Sequence, residues 1–224
     1  MKRFVPVVLL AAFACSGAPV AADPELKTED EKTLYSLGLV ISKQVGVFKL
    51  TPAELAIVQS GLADGIQGKT PKVSLDEYGP KINALAQQRV SAGAVEEKKK
   101  GKEYLAKIAE KPGIKKTGSG LLMETVAEGT GASPKPEDNV KVNYRGTLID
   151  GTFFDGTEKY GEPSTMKMST GLIKCWNEAL TYMKVGGKAK VYCPAELAYG
   201  DKPNGAIPAG ATLVFDLELL EIVK

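Results

Sequence analysis

The sequence predicts an α+β chain, in which an all-α N-terminal region precedes an antiparallel sheet wrapped around one short helix. Two observations indicate this class. Helix-start signals lie within residues 23–112, which end at the helix-breaking run Lys111-Pro112-Gly113. Alternation of apolar and polar side chains, typical of half-buried strands, follows in residues 113–224. We therefore expect a helical domain with a long connecting helix, and then a sheet domain.

The helical region carries S/T-x-x-E capping boxes, in which a hydroxyl and a carboxylate satisfy the first free amides of a helix. These boxes begin at Thr28, Thr51 and Ser74. Apolar residues follow the first two boxes at helical steps, which predicts two amphipathic helices. Gly79-Pro80 predicts that the third helix is kinked there or begins only at Pro80, and it continues towards Glu110.

The third helix carries a charged run at residues 96–103. Acidic residues interleave with the lysines, so the run indicates a solvated helix face rather than a nucleic-acid surface. We expect this stretch to be a strut that holds two bodies apart. The apolar stripes of the two shorter helices have two interpretations: burial against a second copy in a homodimer, or a small monomeric bundle. Their spacing favours the homodimer.

Three segments of the sheet domain have the two-residue period of strands, and one has the period of a helix. The strands are expected within Val140–Leu148, Lys188–Cys193 and Leu213–Val223, and the helix within Leu172–Met183. In the last strand Leu220 breaks the alternation, because it falls on the polar face. We expect Leu220 to need cover from another element.

The N-terminus has the composition of an export signal. A basic start is followed by an apolar run from Phe4 to Ala14, and Val20-Ala21-Ala22 suits a signal peptidase. We expect a signal peptide at residues 1–22 and a periplasmic protein. The alternative is an outer-membrane lipoprotein attached through Cys15. Cleavage after Ala22 would lower the net charge from +2 to zero, which gives no electrostatic reason to expect a nucleic-acid partner.

The chain contains no histidine. This excludes Ser-His-Asp and Cys-His nucleophile sites and His-based zinc sites, and we expect neither a metal nor a cofactor. The two cysteines of the sheet domain, Cys175 and Cys193, either form a disulfide or remain as two buried thiols. Neither lies in a CxxC motif, so the pair does not indicate a redox enzyme.

Four segments of the sheet domain resemble the signatures of FKBP-type peptidyl-prolyl cis-trans isomerases. They are Val142–Asp155, Trp176 on its short helix, Ala198–Gly200, and Ile207–Asp216. The resemblance covers the whole domain in the right order. The helical region is similar in layout to that of the Mip/FkpA-like exported bacterial members, which are dimers. The resemblance thus implies an FKBP-like sheet domain after an N-terminal dimerisation domain.

A dimer that holds two apolar pockets apart could bind unfolded chains, so we expect chaperone activity beside any catalysis. The resemblance implies a pocket that accelerates cis–trans rotation about X-Pro bonds. It places Trp176 at the pocket floor, Tyr144, Phe154 and Phe215 as walls, and Asp155 as an internal hydrogen-bond acceptor. It also places Leu172 and Ile173 at one rim, with the Ile173 N–H as a donor, the Tyr199 hydroxyl as a second donor, and Ala206 and Ile207 on a covering loop. The partners it implies are unfolded or partly folded proteins that contain proline, and macrolide inhibitors of the family.

The sequence departs from the family pattern at three positions. Cys175 stands where the family usually has glycine, Ser164 where a large residue often follows the proline, and Ala206 where the residue is often larger. We expect a thinner wall that Met166 or Met168 fills. The competing functional interpretation is a periplasmic holdase, which binds unfolded chains with weak or no isomerase turnover.

Overall fold

The computed structural model describes residues 25–223, and the predicted signal peptide and the Cys15 lipidation site lie outside them. The chain divides into two compact units, one that ends at Gln44 and one from Val45 onwards. The helices are α1 (Glu29–Val45), α2 (Pro52–Ile66), α3 (Leu75–Ala109), α4 (Met168–Gly171) and α5 (Lys174–Tyr182). The strands are β1 (Ile114–Lys116), β2 (Leu122–Ala127), β3 (Asn139–Leu148), β4 (Phe153–Gly156), β5 (Ser164–Lys167), β6 (Lys188–Cys193) and β7 (Leu213–Val223). Within the described range, no helix combines the length and apolar character needed to cross a bilayer.

Each of the first three helices begins at its predicted cap. The hydroxyls of Thr28, Thr51 and Ser74 accept hydrogen bonds from the amides three residues later. Of the two alternatives for Gly79-Pro80, a start delayed to Pro80 is wrong, because α3 begins at Leu75 and contains Pro80. The Ser74 cap starts the helix, and a helix of 35 residues tolerates the one backbone donor that Pro80 lacks.

The predicted strut is only partly correct. Exposed side chains such as those of Lys99 and Lys100 form the solvated face that the charged run predicts. On another face, however, α3 buries Ala94, Gly101 and Ile108 at seven-residue spacing. A Cβ atom at Gly101 would collide with the hydroxyl oxygen of Thr212. Small side chains therefore let α3 lie directly on the sheet domain, which the charge pattern did not predict.

The seven strands form one antiparallel sheet in the order β1-β2-β6-β7-β3-β4, with β5 also paired to β3. The three predicted strands coincide with β3, β6 and β7, whereas β1, β2, β4 and β5 had no separate signal. A register shift in the β3–β7 pairing lies at Leu220, between the partners of Lys141 and Val142. This bulge leaves Leu220 half-buried, and so explains why it breaks the alternation.

The core lies between α5 and one face of the sheet. The helix contributes Cys175, Trp176, Ala179 and Leu180 to it. Strand β7 contributes Leu213, Phe215, Leu217 and Leu219 from alternate positions. The opposite face of the sheet bears a smaller cluster, in which Ile108 of α3 packs with Leu122, Tyr192 and Val214. This arrangement holds the N-terminal end of α5 against the middle of the sheet.

Candidate functional site

One cavity of about 310 Å³ opens beside the N-terminal end of α5, a size within the range of small-molecule and peptide pockets. All ten residues predicted for the site line it: Tyr144, Phe154, Asp155, Leu172, Ile173, Trp176, Tyr199, Ala206, Ile207 and Phe215. They come from β3, β4, β7, α5, the residues just before α5, and the segment between β6 and β7. Three further lining residues, Gly171, Asn204 and Gly205, have no role predicted from the sequence.

Aromatic side chains form the floor and two walls of the cavity. The indole of Trp176 is 4% exposed. It lies edge-on to Tyr144 at 5.0 Å and to Phe215 at 5.2 Å between ring centroids. Phe215 in turn meets Phe154 edge-on at 5.6 Å. Such T-shaped contacts each favour one ring orientation, so the four rings fix one another's positions.

Gly146 makes room for two of these rings. A Cβ atom at this position would lie 2.7 Å from the Phe154 ring and 2.9 Å from the Phe215 ring. The residue stands in β3, where it pairs with Phe215 of β7 and Asp155 of β4. Gly146 belongs to the motif Val142–Asp155 but has no role predicted from the sequence. The structure shows that its missing side chain lets the aromatic walls approach the strand.

A tyrosine and a carboxylate form the polar part of the cavity. The Tyr144 hydroxyl donates a 2.6 Å hydrogen bond to Oδ2 of Asp155. Lys159 Nζ and the Tyr160 hydroxyl each lie 3.4 Å from the other carboxylate oxygen, Oδ1. The side-chain hydroxyl of Thr157 lies beside them and accepts a 3.2 Å hydrogen bond from the Tyr144 N–H.

These contacts decide where the proton lies. Burial alone would raise the pKa of Asp155, but the hydrogen bonds from Tyr144, the Gly156 N–H and Lys159 outweigh it and lower that pKa. Burial and the hydrogen bond to Asp155 raise the pKa of Tyr144. The pair therefore stays as a phenol that donates to a carboxylate. Asp155 orients Tyr144 and is a poor general base at neutral pH.

The rim is formed by backbone turns. Ile173 is the N-cap residue of α5, so its own N–H has no partner within that helix. Across the cavity, reciprocal backbone hydrogen bonds of 2.9 Å between Asn204 and Ile207 close a tight turn. Gly205 in this turn has φ +56°, in the left-handed region that favours glycine. The turn presents Ala206 and Ile207 to the cavity, and Tyr199 is 38% exposed beside it.

The departures from the family pattern have different consequences. Ser164 on β5 pairs with Val142 and does not line the cavity. Met166, two residues further along the same strand, does line it, as one of the two fillers we expected. Met168 belongs to the fully buried core instead. Ala206 lines the cavity, so the expected thinning of the wall applies to this position alone.

Cys175 and Cys193 are joined by a disulfide in the structure. Their Cα atoms are 5.7 Å apart, within the usual range for a disulfide, and both residues are fully buried. Of the two alternatives that the sequence left open, the structure contains the bond. It connects the first turn of α5, next to Trp176, to the last residue of β6.

Two family models match the chain. Residues 131–220 match the model described as FKBP-type peptidyl-prolyl cis-trans isomerase. Residues 30–124 match the model described as the domain amino terminal to FKBP-type peptidyl-prolyl isomerase. The first match contains every lining residue of the cavity.

Relatives match nearly the whole chain. The chain is 42% identical over 217 residues to the isomerase FkpA of Aeromonas hydrophila, covering 91% of this chain and 80% of that protein. It is 40% identical to the FKBP-type 22 kDa isomerase of Escherichia coli, covering 89% and 98%. It is 35% identical to the outer membrane protein MIP of Legionella longbeachae, covering 100% and 99%. The crystal structure of FkpA from Escherichia coli superposes with a TM-score of 0.67 at 34% identity, covering 88% of this chain and 98% of that one.

Proposed function

The chain belongs to the FKBP-type peptidyl-prolyl cis-trans isomerase family, and from this premise we propose that it accelerates X-Pro rotation in exported proteins within the cavity around Trp176. The observation that carries this proposal is the joint placement of ten predicted residues around one aromatic cavity. A proline ring is a compact apolar body, and the Trp176 floor between Tyr144 and Phe215 offers it a matching surface.

The mechanism needs no bond to the enzyme. The barrier to rotation is about 20 kcal/mol, because amide resonance must be lost in the twisted state. The planar amide carries more charge on its oxygen than the twisted amide does. A largely apolar cavity therefore destabilises the planar form relative to the twisted form. The edge-on rings around Trp176 give the floor an apolar lining where rotation would occur.

Hydrogen-bond donors at the rim would hold the substrate backbone while the amide turns. The Ile173 N–H and the Tyr199 hydroxyl are the donors we assign to substrate carbonyls. Within residues 25–223 the Tyr199 hydroxyl has no side-chain hydrogen bond to another residue, which supports this role. Asp155 keeps Tyr144 in place and takes no proton from the substrate.

A protease-coupled peptide assay on the full chain tests the function. We expect catalysed cis–trans conversion that Asp155→Ala and Tyr199→Phe both reduce. The absence of any acceleration, with client aggregation still suppressed, would support the alternative function of a holdase. Competition by a macrolide inhibitor of the family would locate the activity in the cavity.

We also propose that the chain acts as a homodimer through its N-terminal helices. Helix α2 leaves Leu55, Ile57, Val58, Leu62 and Ile66 exposed, and α1 leaves Leu34, Leu37 and Val40 exposed. Apolar rows of this kind are typical of interfaces, because they are costly to leave in water. Light scattering on the full chain should give twice the monomer mass. The double variant Ile57→Asp/Leu62→Asp should lower the measured mass to that of one monomer.

The proposed site of action is the periplasm. The export-type N-terminal sequence and the similarity to FkpA and MIP proteins support this location. N-terminal analysis of the mature chain would distinguish cleavage before Asp23 from lipidation at Cys15.

Chaperone activity is proposed as a second property, and loss of aggregation suppression in the monomeric variant would assign it to the dimer.

A further inference from the structure

We propose that the Cys175–Cys193 disulfide is the positioning element that holds Trp176 at the cavity floor. The inference rests on the proposed function, since the floor matters only if the cavity binds proline. It goes beyond that function by assigning a role to two residues that do not line the cavity.

Apart from the disulfide, Trp176 is positioned by apolar contacts, chiefly with the rings of Tyr144 and Phe215. Its indole Nε1 is buried and has no hydrogen-bond partner among residues 25–223, so no polar contact orients the ring. The helix that carries it has nine residues, and no side chain caps its first turn at Ile173. The position of Trp176 therefore depends on ring packing and on how the first turn of α5 is attached to the sheet.

The disulfide supplies such an anchor at the adjacent residue. Cys175 immediately precedes Trp176 in α5, and Cys193 is the last residue of β6. Cys193 pairs with Leu213 of β7, two residues before Phe215. The bond thus fastens the tryptophan's helical turn to the same pair of strands that carries Phe215, the ring lying 5.2 Å from the indole.

The disulfide and the sheet hydrogen bonds therefore join the two rings in one cross-linked unit. It runs from Trp176 through the bond to β6, and across the β6–β7 hydrogen bonds to Phe215. Without the bond, only side-chain packing would hold the first turn of α5 on the sheet, and that turn could shift. The floor and its wall would then lose their fixed spacing, and the proline ring would lose contact area in every state.

The test compares three full-length variants, Cys175→Ala, Cys193→Ala and the double variant, with the chain that keeps both cysteines. All four proteins carry Cys15→Ala, so that no other thiol interferes. Each single variant removes the whole bond, so we expect the same loss from both singles and from the double. That loss is about tenfold in kcat/KM, carried by a higher KM because the ring contact is made in the ground and twisted states alike.

Reduction of the otherwise unchanged protein gives a bond-free form with its core atoms intact. The chain is unfolded and refolded with a water-soluble phosphine, whose phosphorus gains the oxygen of one water while the two sulfurs gain its two hydrogens. We expect the reduced protein to match the alanine variants. Leu219→Val is the control, because it trims the same buried core six residues along β7 from Leu213, the partner of Cys193, and should leave KM unchanged.

Trp176 is the chain's only tryptophan, so its fluorescence reports on the floor directly. Loss of the neighbouring disulfide removes a quencher and should brighten the emission. Displacement of the indole should also move the emission maximum to longer wavelength as water reaches the ring. An unshifted maximum and an unchanged KM in the bond-free forms would overturn the proposal, as would single variants whose losses add up in the double.

The fluorescence separates this proposal from the proposed function. If the wild-type chain has no isomerase activity, the proposed function fails, and the emission maximum alone then decides whether the bond positions Trp176. If the wild type is active and the bond-free forms are equally active with an unshifted maximum, the proposed function stands and the positioning role is wrong.

Discussion

The Tyr144 hydroxyl and Oδ2 of Asp155 are 2.6 Å apart, and this hydrogen bond joins an aromatic wall of the cavity to its one carboxylate. The bond keeps the phenol from rotating into the space beside Trp176, where the proline ring is proposed to lie. It also holds the carboxylate in the ionised form, with a lowered pKa. The polar and apolar parts of the site are thus organised by one contact.

Removal of this hydrogen bond should reduce activity without unfolding the domain. Tyr144→Phe leaves the Asp155 carboxylate without its closest donor, and a hydrogen bond to a charged group contributes about 1.5–3 kcal/mol. We expect kcat/KM for an X-Pro peptide to fall by about tenfold or more. Tyr160→Phe is the matched control, since its hydroxyl is 3.4 Å from Asp155, and it should change kcat/KM by less than half as much on a logarithmic scale.

Gly146→Ala should damage the aromatic walls. The added Cβ would collide with the rings of Phe154 and Phe215, so one or both must move into the cavity. We expect a loss of about 1–3 kcal/mol in the free energy of unfolding, together with lower kcat/KM. Gly118→Ala, at a position with open space around it, should change neither quantity. A Gly146→Ala protein with wild-type kcat/KM would contradict the assigned wall geometry.

Gly101→Ala tests the packing of α3 on the sheet domain. Alanine in place of glycine normally stabilises a helix by about 1 kcal/mol. Here the new methyl group would collide with Thr212, so we expect denaturant unfolding to show a lower free energy of unfolding. Thr212→Ala in the same chain should recover part of the loss. If Gly101→Ala stabilises the protein, α3 does not lie on Thr212 in solution.

The ion pair between Glu54 of α2 and Arg89 of α3 should make stability depend on pH. The hydrogen bond from Arg89, with those from Thr51, lowers the pKa of Glu54 from 4.5 to about 2 in the folded protein. A lowered folded-state pKa stabilises the fold above the unfolded value, and the contribution is lost as pH falls from 4.5 towards 2.

Thermal unfolding from pH 7 to pH 2 measures this contribution. Glu54→Gln should lower Tm at pH 7 and have much less effect near pH 2, where about half of the wild-type carboxylate is protonated in the folded protein. Glu137→Gln, at an exposed position, is the control and should leave the curve unchanged. A Tm difference between Glu54→Gln and wild type that is constant with pH would refute the ion-pair account.

The main elements of the fold were predictable because their signals are local. Strands β6 and β7 coincide with the predicted segments, since apolar and polar side chains alternate over most of each strand. Strands β1, β4 and β5 have only three or four residues. They form by pairing with β2 or β3, and so few residues cannot establish a period.

The site residues were predictable as a set, and their supports were not. The resemblance named the ten side chains that line the cavity, because its motifs carry them directly. The space that Gly146 leaves for Phe154 and Phe215 depends on how β3 approaches β4 and β7, which one sequence does not reveal. The burial of Gly101 was missed for a similar reason, since the lysines beside it dominate the local pattern.

The central claim is that X-Pro rotation takes place in the cavity above Trp176. NMR exchange spectroscopy on an X-Pro peptide with the full chain measures that rotation at equilibrium. The account predicts a cis–trans exchange rate that rises with protein concentration, that Trp176→Ala and Tyr144→Phe both lower, and that Tyr160→Phe largely preserves. Two results would contradict the account. One is an exchange time that stays at the uncatalysed value of tens of seconds or longer, and the other is catalysis that Trp176→Ala leaves intact.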